Sequence, residues 1–122
     1  MTVIRSLRSQ AVLADHAEVA TGMLQRMVGL LSRATLAPGE ALVLPRCRSI
    51  HTCFMRFPID VIFLSHQPSA ISHQPKTWKI VKVIQALPPF RVVWAVGADT
   101  AVELPAGTIT ATTQVGELLE IM

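Results

Sequence analysis

Three side chains with different chemistry lie within the segment Ser49–Leu64: His51, Arg56 and Asp60. An imidazole can act as a general base, a guanidinium binds anions, and a carboxylate accepts hydrogen bonds. The segment around them is largely apolar, and ligand pockets are typically built from a few polar groups in apolar surroundings. With Glu103, these three residues form the predicted polar cluster.

Three hypotheses account for this cluster. The first is a non-catalytic binding module for a small ligand or a protein partner, and the second is a hydrolase-type enzyme that uses His51 or Asp60 as general base. The third is a purely structural cluster, in which Arg56 and Asp60 cap a turn and the function lies elsewhere. The sequence has no Gly-x-Ser-x-Gly, phosphate-binding loop or His-Glu-x-x-His motif, so the first hypothesis is favoured over the second.

The cluster is expected on a central hairpin. Two β-rich runs flank the break Arg56–Ile59, and Pro58 within it cannot donate a ladder hydrogen bond, which predicts a turn. Because side chains alternate along a strand, His51 and Asp60 would share one face. The other face would carry Ile50, Thr52, Phe54, Val61 and Phe63. An unpaired buried carboxylate is costly, so we expect an ionised Asp60 held by Arg56 and the N–H groups of the turn.

The rest of the chain predicts a mainly β fold. Short apolar runs with turn residues between them indicate strands at 41–44, 78–85, 92–96, 100–104 and 117–121, of which 92–96 and 100–104 would form a second hairpin. A helix is expected to start at Thr21 and to carry apolar residues at helical spacing up to Leu31. We predict a compact sandwich or partly open barrel of short, mostly antiparallel strands with one short N-terminal helix, in a single domain over residues 1–122.

The tetrapeptide Ser-His-Gln-Pro occurs twice, at 65–68 and at 72–75. Two copies do not make a repeat architecture, so residues 65–76 are predicted to form an exposed, poorly ordered loop. His66 and His73 could bind a metal, but no carboxylate or thiol lies close to them in sequence. We therefore expect no metal site and no cofactor.

Composition and charge restrict the partners. The net charge is only +3 and there is no Tyr, so a groove that tracks a nucleic-acid backbone is not expected. No apolar run is long enough for a membrane helix and no secretory signal is evident, so we expect a cytoplasmic protein with two reduced cysteines. Residues 26–56 carry five arginines and one acidic residue, Glu40. This asymmetry indicates either an anion-binding patch, for a small anionic ligand or a protein partner, or a solvated rim.

Four short motifs resemble the DUF192 family, whose biochemical role is unassigned. They are Gly29-Leu30-Leu31-Ser32-Arg33, Cys53-Phe54-Met55-Arg56, Pro58-Ile59-Asp60 and Ala101-Val102-Glu103-Leu104-Pro105-Ala106-Gly107. Leu31 stands where the family has Met, Cys53 where it has an aromatic residue, and Phe57 where it commonly has Asn. The resemblance covers residues 20–122 and implies a compact β fold but no reaction. The complete set of predicted ligand-binding residues is Arg33, His51, Arg56, Asp60 and Glu103.

Overall fold

Nine strands make up the described part of the protein. The computed structural model describes residues 2–19, 36–52, 57–67, 77–110 and 113–122. The strands are β1 (Thr2–Ser6), β2 (Val12–Val19), β3 (Glu40–Pro45), β4 (Ser49–His51), β5 (Ile59–Gln67), β6 (Thr77–Leu87), β7 (Val92–Trp94), β8 (Thr100–Pro105) and β9 (Leu118–Ile121). The predicted mainly β class is confirmed, whereas the helix predicted from Thr21 lies outside the described residues. Across these ranges no helical segment has the length and apolarity to span a membrane.

Seven strands close a barrel in the order β1-β2-β3-β8-β5-β6-β9, and β9 pairs back onto β1. Strands β2 and β3 pair in parallel, and the other neighbours pair antiparallel. The sequence predicted a sandwich or a partly open barrel. The barrel is closed, which leaves none of its seven strands with an unpaired edge.

The two faces of the barrel wall are both buried around β5. One apolar cluster draws residues from all seven barrel strands and fills the interior, with Ile62, Leu64, Val102 and Leu104 among its members. A second cluster lies on the outer face of β3, β5 and β8 and includes Val61 and Phe63. Residues Ile59 to Leu64 are therefore fully buried on both sides of the sheet, which explains their nearly continuous apolar sequence.

A two-stranded sheet of β4 and β7 covers part of that outer face. Its inward side chains, including Ile50 and Ala95, join the outer cluster. Ile50 packs in the same cluster as Val61 and Phe63. The predicted single shared face is wrong, because these residues come from two sheets packed face to face. Phe54, assigned to the same face, lies outside the described residues.

Both predicted hairpins are wrong in their pairing. Strand β4 pairs with β7 and not with β5, and the strands predicted at 92–96 and 100–104 separate, since β8 pairs with β3 and β5. Strands β3, β6, β7, β8 and β9 overlap the predicted runs, whereas the sequence predicts neither β1 nor β2. Their partners are distant in sequence, and a short break between two β-rich runs does not specify which edge each strand joins.

The predicted loop at 65–76 begins later than expected. Ser65, His66 and Gln67 continue β5 and pair with the start of β6. The His66 ring packs edge-on against Trp78 with a centroid separation of 5.2 Å, an aromatic cross-strand contact that favours extending the ladder. Residues 68–76, including His73, lie outside the described residues. The β5–β6 ladder shifts register between Ile59 and Val61 and again between Phe63 and Leu64, as at a β-bulge.

Candidate functional site

Asp60 is fully buried and lies on the inner face at one end of the barrel. It pairs with Leu104, an interior residue. Its carboxylate accepts three backbone hydrogen bonds: Oδ1 from the Ala86 N–H at 2.8 Å, and Oδ2 from the N–H groups of Gly107 at 3.1 Å and Ile109 at 2.8 Å. Three N–H donors compensate the desolvation of a carboxylate that would otherwise be costly to bury.

The three donors are aimed at Asp60 by local backbone irregularities. Ala86 has a positive φ of 50°, and the β5–β6 register shifts between Ile59 and Val61, opposite this position. Gly107 has a φ of 95° just after β8 ends, a conformation that glycine adopts readily. The chain then returns so that Ile109 fills the barrel end, where its carbonyl accepts a hydrogen bond from the Gln85 amide.

The partners of Asp60 differ from those expected. The donors lie 26, 47 and 49 residues further along the chain and not in the 56–59 turn. Arg56, the expected ionic partner, lies outside the described residues. The described contacts make Asp60 a structural clasp that joins β5, β6 and the segment after β8, and both of its oxygens are occupied by the protein itself.

Glu103 lies on the opposite face of the same ladder. It pairs with Leu42 on one side and Val61 on the other, both members of the outer apolar cluster. It is 7% exposed, and no described residue donates a hydrogen bond to its carboxyl group. Burial raises the pKa of Glu103 from 4.5 to about 7, because the charged form loses its hydration. Glu103 can thus hold a proton, or accept a hydrogen bond from a donor brought to it.

The structure separates the described members of the predicted polar cluster. Asp60 faces the barrel interior, Glu103 faces the outer cluster, and His51 is exposed on β4 in the small sheet. Arg33 and Arg56 lie outside the described residues. No single pocket therefore combines Asp60, Glu103 and His51.

A surface that the sequence reasoning missed lies on the outward side of β7 and its flanks. Four large apolar side chains, Phe90, Val92, Trp94 and Val96, are 61–87% exposed, and we call them the β7 strip. Val93 and Ala95, which alternate with them, point into the outer cluster. The signal was present in the sequence, because the run from Val92 to Val96 is apolar at every position and so has two apolar faces, only one of which a packed sheet can bury.

Thr52, the residue after β4, fixes the backbone at the start of the β7 strip by hydrogen bonds. Its buried hydroxyl donates to the Pro88 carbonyl at 2.7 Å and accepts from the Arg91 N–H at 2.9 Å. Backbone hydrogen bonds join Thr52 to Arg91 and Phe90 as well. Phe90 has a positive φ of 63° and is exposed. The four-residue segment 88–91 is therefore fixed on the β4 end, and the strip is presented by an ordered backbone.

The other candidate sites in the described ranges are a thiol and an open cleft. No group of three or more metal-binding side chains occurs in the described ranges. Cys47 is a free, half-buried thiol, and Cys53 lies outside those ranges. An open cleft of about 540 Å³ is lined by Leu7, Arg8 and residues 114–118. Its Glu117 carboxylate is already engaged by the Ser6 hydroxyl, the Gln114 N–H and Arg8.

Residues 4–121 match the family described as DUF192, uncharacterised ACR. The chain belongs to the DUF192 family. No curated protein matches it.

Two crystal structures share the DUF192 chain's fold. One is of a candidate transcription regulator from Sinorhizobium meliloti 1021, with a TM-score of 0.75 and 19% identity over 98% of this chain and 91% of that one. The other is of a protein of unknown function from Novosphingobium aromaticivorans DSM 12444, with a TM-score of 0.72 and 16% identity over 98% of this chain and 82% of that one. At these identities the likeness shows the fold.

Two of the DUF192 motifs meet at Asp60. The motif Pro58-Ile59-Asp60 supplies the carboxylate, and the motif that ends at Gly107 supplies one of its N–H donors. In this DUF192 chain, part of the family signature thus encodes a contact that closes one end of the barrel. Asp60 and Gly107, which belong to two of the recognisable motifs, therefore stabilise the fold.

Proposed function

We propose that this DUF192 protein is a non-catalytic binding module that holds a protein partner on the β7 strip. The observation that carries the proposal is the exposure of Phe90, Val92, Trp94 and Val96 at alternate positions of β7 and its two flanks. Contiguous exposed apolar surface of this kind is typical of interaction sites, because leaving it in water is unfavourable. Aromatic side chains at such positions contribute strongly to binding.

The rigidity of the strip supports this proposal. Pairing with β4, packing of Val93 and Ala95 into the core, and the hydrogen bonds of Thr52 fix the backbone before any partner arrives. A preorganised surface loses little conformational entropy on binding. The strip therefore has the properties of a binding surface as it stands.

The contacts of Asp60 give no support to the hydrolase alternative. A general base needs a free lone pair within reach of a substrate proton, and the Asp60 oxygens accept protein N–H groups in the barrel interior. His51 is exposed, and no described hydroxyl or thiol is hydrogen-bonded to it. Binding on the strip needs neither residue to act as a base.

A photo-crosslinking experiment tests the proposal. Benzoyl-phenylalanine is incorporated in cells at Trp94 and, as a matched control, at Val12, which is exposed on β2. We expect a discrete crosslinked protein at position 94 and not at 12. That protein, purified, should bind the wild-type chain and bind a Val92→Ser/Val96→Ser variant at least about tenfold more weakly, the loss expected for two apolar contacts. Equal crosslinking at both positions, or unchanged affinity of a variant with unchanged stability, would overturn the proposal.

A further inference from the structure

The segments around the β7 strip carry exposed arginines, and the carboxylate nearest to the strip in sequence is Asp99. Residues 41–59 and 61–98 contain no Asp or Glu, so no carboxylate lies on β4, on β7 or in the segments that flank them. Three arginines are exposed there: Arg46, Arg48 and Arg91. The exposed His51 on β4 adds a further cation when it is protonated.

The carboxylates of the protein do not neutralise these arginines. All eight lie in the described ranges, and none forms an ion pair there with Arg46, Arg48 or Arg91. Asp99, whose carbonyl accepts the Cys47 N–H close by, already uses both carboxylate oxygens, on the His66 N–H and the Thr100 hydroxyl. The charge on this face is thus available to a partner.

We propose that the partner segment covering the β7 strip is acidic, with Asp or Glu side chains flanking apolar ones. This inference rests on the proposed function and names the chemistry of its partner. Arg91 precedes Val92, and the Arg48 carbonyl accepts a hydrogen bond from the Ala95 N–H at the other end of the ladder. The backbones of these two exposed arginines therefore lie at the two ends of β7. Apolar side chains would cover the strip, and carboxylates would bind the planar guanidinium groups in the bidentate geometry that suits both.

A second copy of the chain fits this surface poorly. Two such faces brought together would place arginines against arginines, and like charges across an interface are unfavourable. An acidic segment has the complementary charge, which also accelerates its association.

A lipid surface is a poorer occupant of the strip than a protein, because the outer edge of β7 presents peptide groups that need hydrogen-bond partners. Hydrogen bonds to Thr52 and Arg48 show that alternate residues of this strand face β4, so the peptide groups of Val92 and Trp94 face the other edge. There the Trp94 carbonyl accepts a hydrogen bond from the Lys82 ammonium at 2.9 Å. The described residues supply no partner for the Trp94 N–H or for the N–H and carbonyl of Val92. Acyl chains offer no hydrogen bonds to such groups, whereas a polypeptide can.

A displayed library of random dodecapeptides provides the test. Peptides are selected on the immobilised wild-type protein and counter-selected on Val92→Ser/Val96→Ser, which leaves only strip-dependent binders. We expect these binders to be enriched at least about threefold in Asp and Glu over the input library. The affinity of individual synthetic peptides should fall about tenfold or more between 50 and 500 mM NaCl, because salt screens exposed charges.

Matched charge variants separate this inference from the proposed function. Arg48→Gln/Arg91→Gln should weaken peptide binding about tenfold or more, whereas Arg5→Gln/Arg8→Gln on the β1 side, with the same change of net charge, should leave it unchanged. Strip-dependent peptides with no acidic enrichment, or with equal affinity for both charge variants, would overturn the acidic partner and leave the proposed function standing. A library with no strip-dependent binder would overturn both.

Two further measurements address the other occupants. Strip-dependent co-sedimentation with vesicles of phosphatidylserine and phosphatidylcholine, without strip-dependent peptides, would identify a lipid-binding face and overturn the inference. A dimer in sedimentation equilibrium that is abolished by Val92→Ser/Val96→Ser would identify a second copy as the occupant and overturn it equally. We expect a monomer that does not co-sediment.

Discussion

Asp60 and Glu103 lie on adjacent strands one register step apart, yet their carboxyl groups meet opposite conditions. Asp60 faces the barrel interior and accepts three backbone N–H groups. Glu103 faces the outer apolar cluster between Leu42 and Val61, where the described residues offer no donor. Both are buried almost completely, so burial alone does not distinguish them.

The difference lies in the backbone around each residue. At the end of the barrel, the irregular positions Ala86 and Gly107 turn peptide N–H groups out of the ladder and toward Asp60. Around Glu103 the ladder is regular, so the peptide groups of β3, β5 and β8 are used between strands. A buried carboxylate thus receives backbone donors where the sheet is interrupted, and it receives none from the described residues where the sheet is continuous.

The largest expected effect is at the clasp. Asp60→Ala leaves the N–H groups of Ala86, Gly107 and the buried Ile109 without their acceptor. We expect the free energy of unfolding to fall by about 3–5 kcal/mol. Asp60→Asn, which keeps the shape and one acceptor, should lose about 1–3 kcal/mol. Urea denaturation at pH 7 measures both. An unchanged midpoint for Asp60→Asn, with an unchanged m-value, would contradict the clasp.

Glu103→Gln should act in the opposite direction. The variant removes the ionisable group, whose pKa is raised from 4.5 to about 7 by burial. At pH 8 the wild-type fold must hold a buried charge, so we expect the variant to be more stable by up to about 3 kcal/mol, since one pKa unit corresponds to about 1.4 kcal/mol. Thermal and urea unfolding at pH 8 provide the measurement. A less stable variant would mean that the Glu103 carboxylate has a donor.

A separate prediction concerns how the stabilities of wild type and Glu103→Gln depend on pH. Between pH 4.5 and about 7 the folded state keeps the Glu103 proton while the unfolded state releases it, so this group lowers stability as the pH rises. The stability difference between Glu103→Gln and wild type should grow through this window and be constant above it. Measuring the difference cancels the other carboxyl groups. A difference that does not vary between pH 4.5 and 8 would show that Glu103 titrates normally.

The smallest expected effect is the difference in stability between alanine variants of two glycines. Gly107 and Gly97 have φ values of 95° and 88°, and a Cβ at either would meet nothing within 4 Å. Replacement by Ala should therefore cost each about 1 kcal/mol of backbone strain. Gly107 also donates its N–H to Asp60, so we expect Gly107→Ala to be the more destabilising by some tenths of a kcal/mol. Equal losses in urea denaturation would show that the clasp tolerates a shift of this turn.

The sequence predicted the strands better than their partners. The apolar pattern located the strands from β3 onward but not β1 and β2, because it is a local signal and residues 3–14 have no clean period. It assigned β4 to a hairpin with β5, because a short break containing Pro58 has the length of a turn. The pairing with β7 depends on which strands are left outside the closed barrel, and that is a property of the whole fold.

The candidate site was less predictable for a related reason. Asp60 was recognised as a carboxylate that needs donors, but the donors come from peptide groups, which every residue has, at positions far along the chain. Glu103 and His51 were grouped with it by chemistry, and the strand geometry separated them. The β7 strip was visible only as an apolar run, since exposure cannot be read from residue types.

Closure of the barrel by β9 against β1 has a consequence for how the chain folds as it is synthesised. Ile4 pairs with Ile121, and the peptide groups of Val3 and Met122 exchange two hydrogen bonds at 2.9 and 3.0 Å. Until residues 118–121 have left the ribosome, β1 and β6 both lack the strand that covers their open edges. Such edges pair readily with other chains. The nascent chain is thus most exposed to misassembly just before β9 emerges, and barrel closure is a non-local event of the kind that makes folding slow.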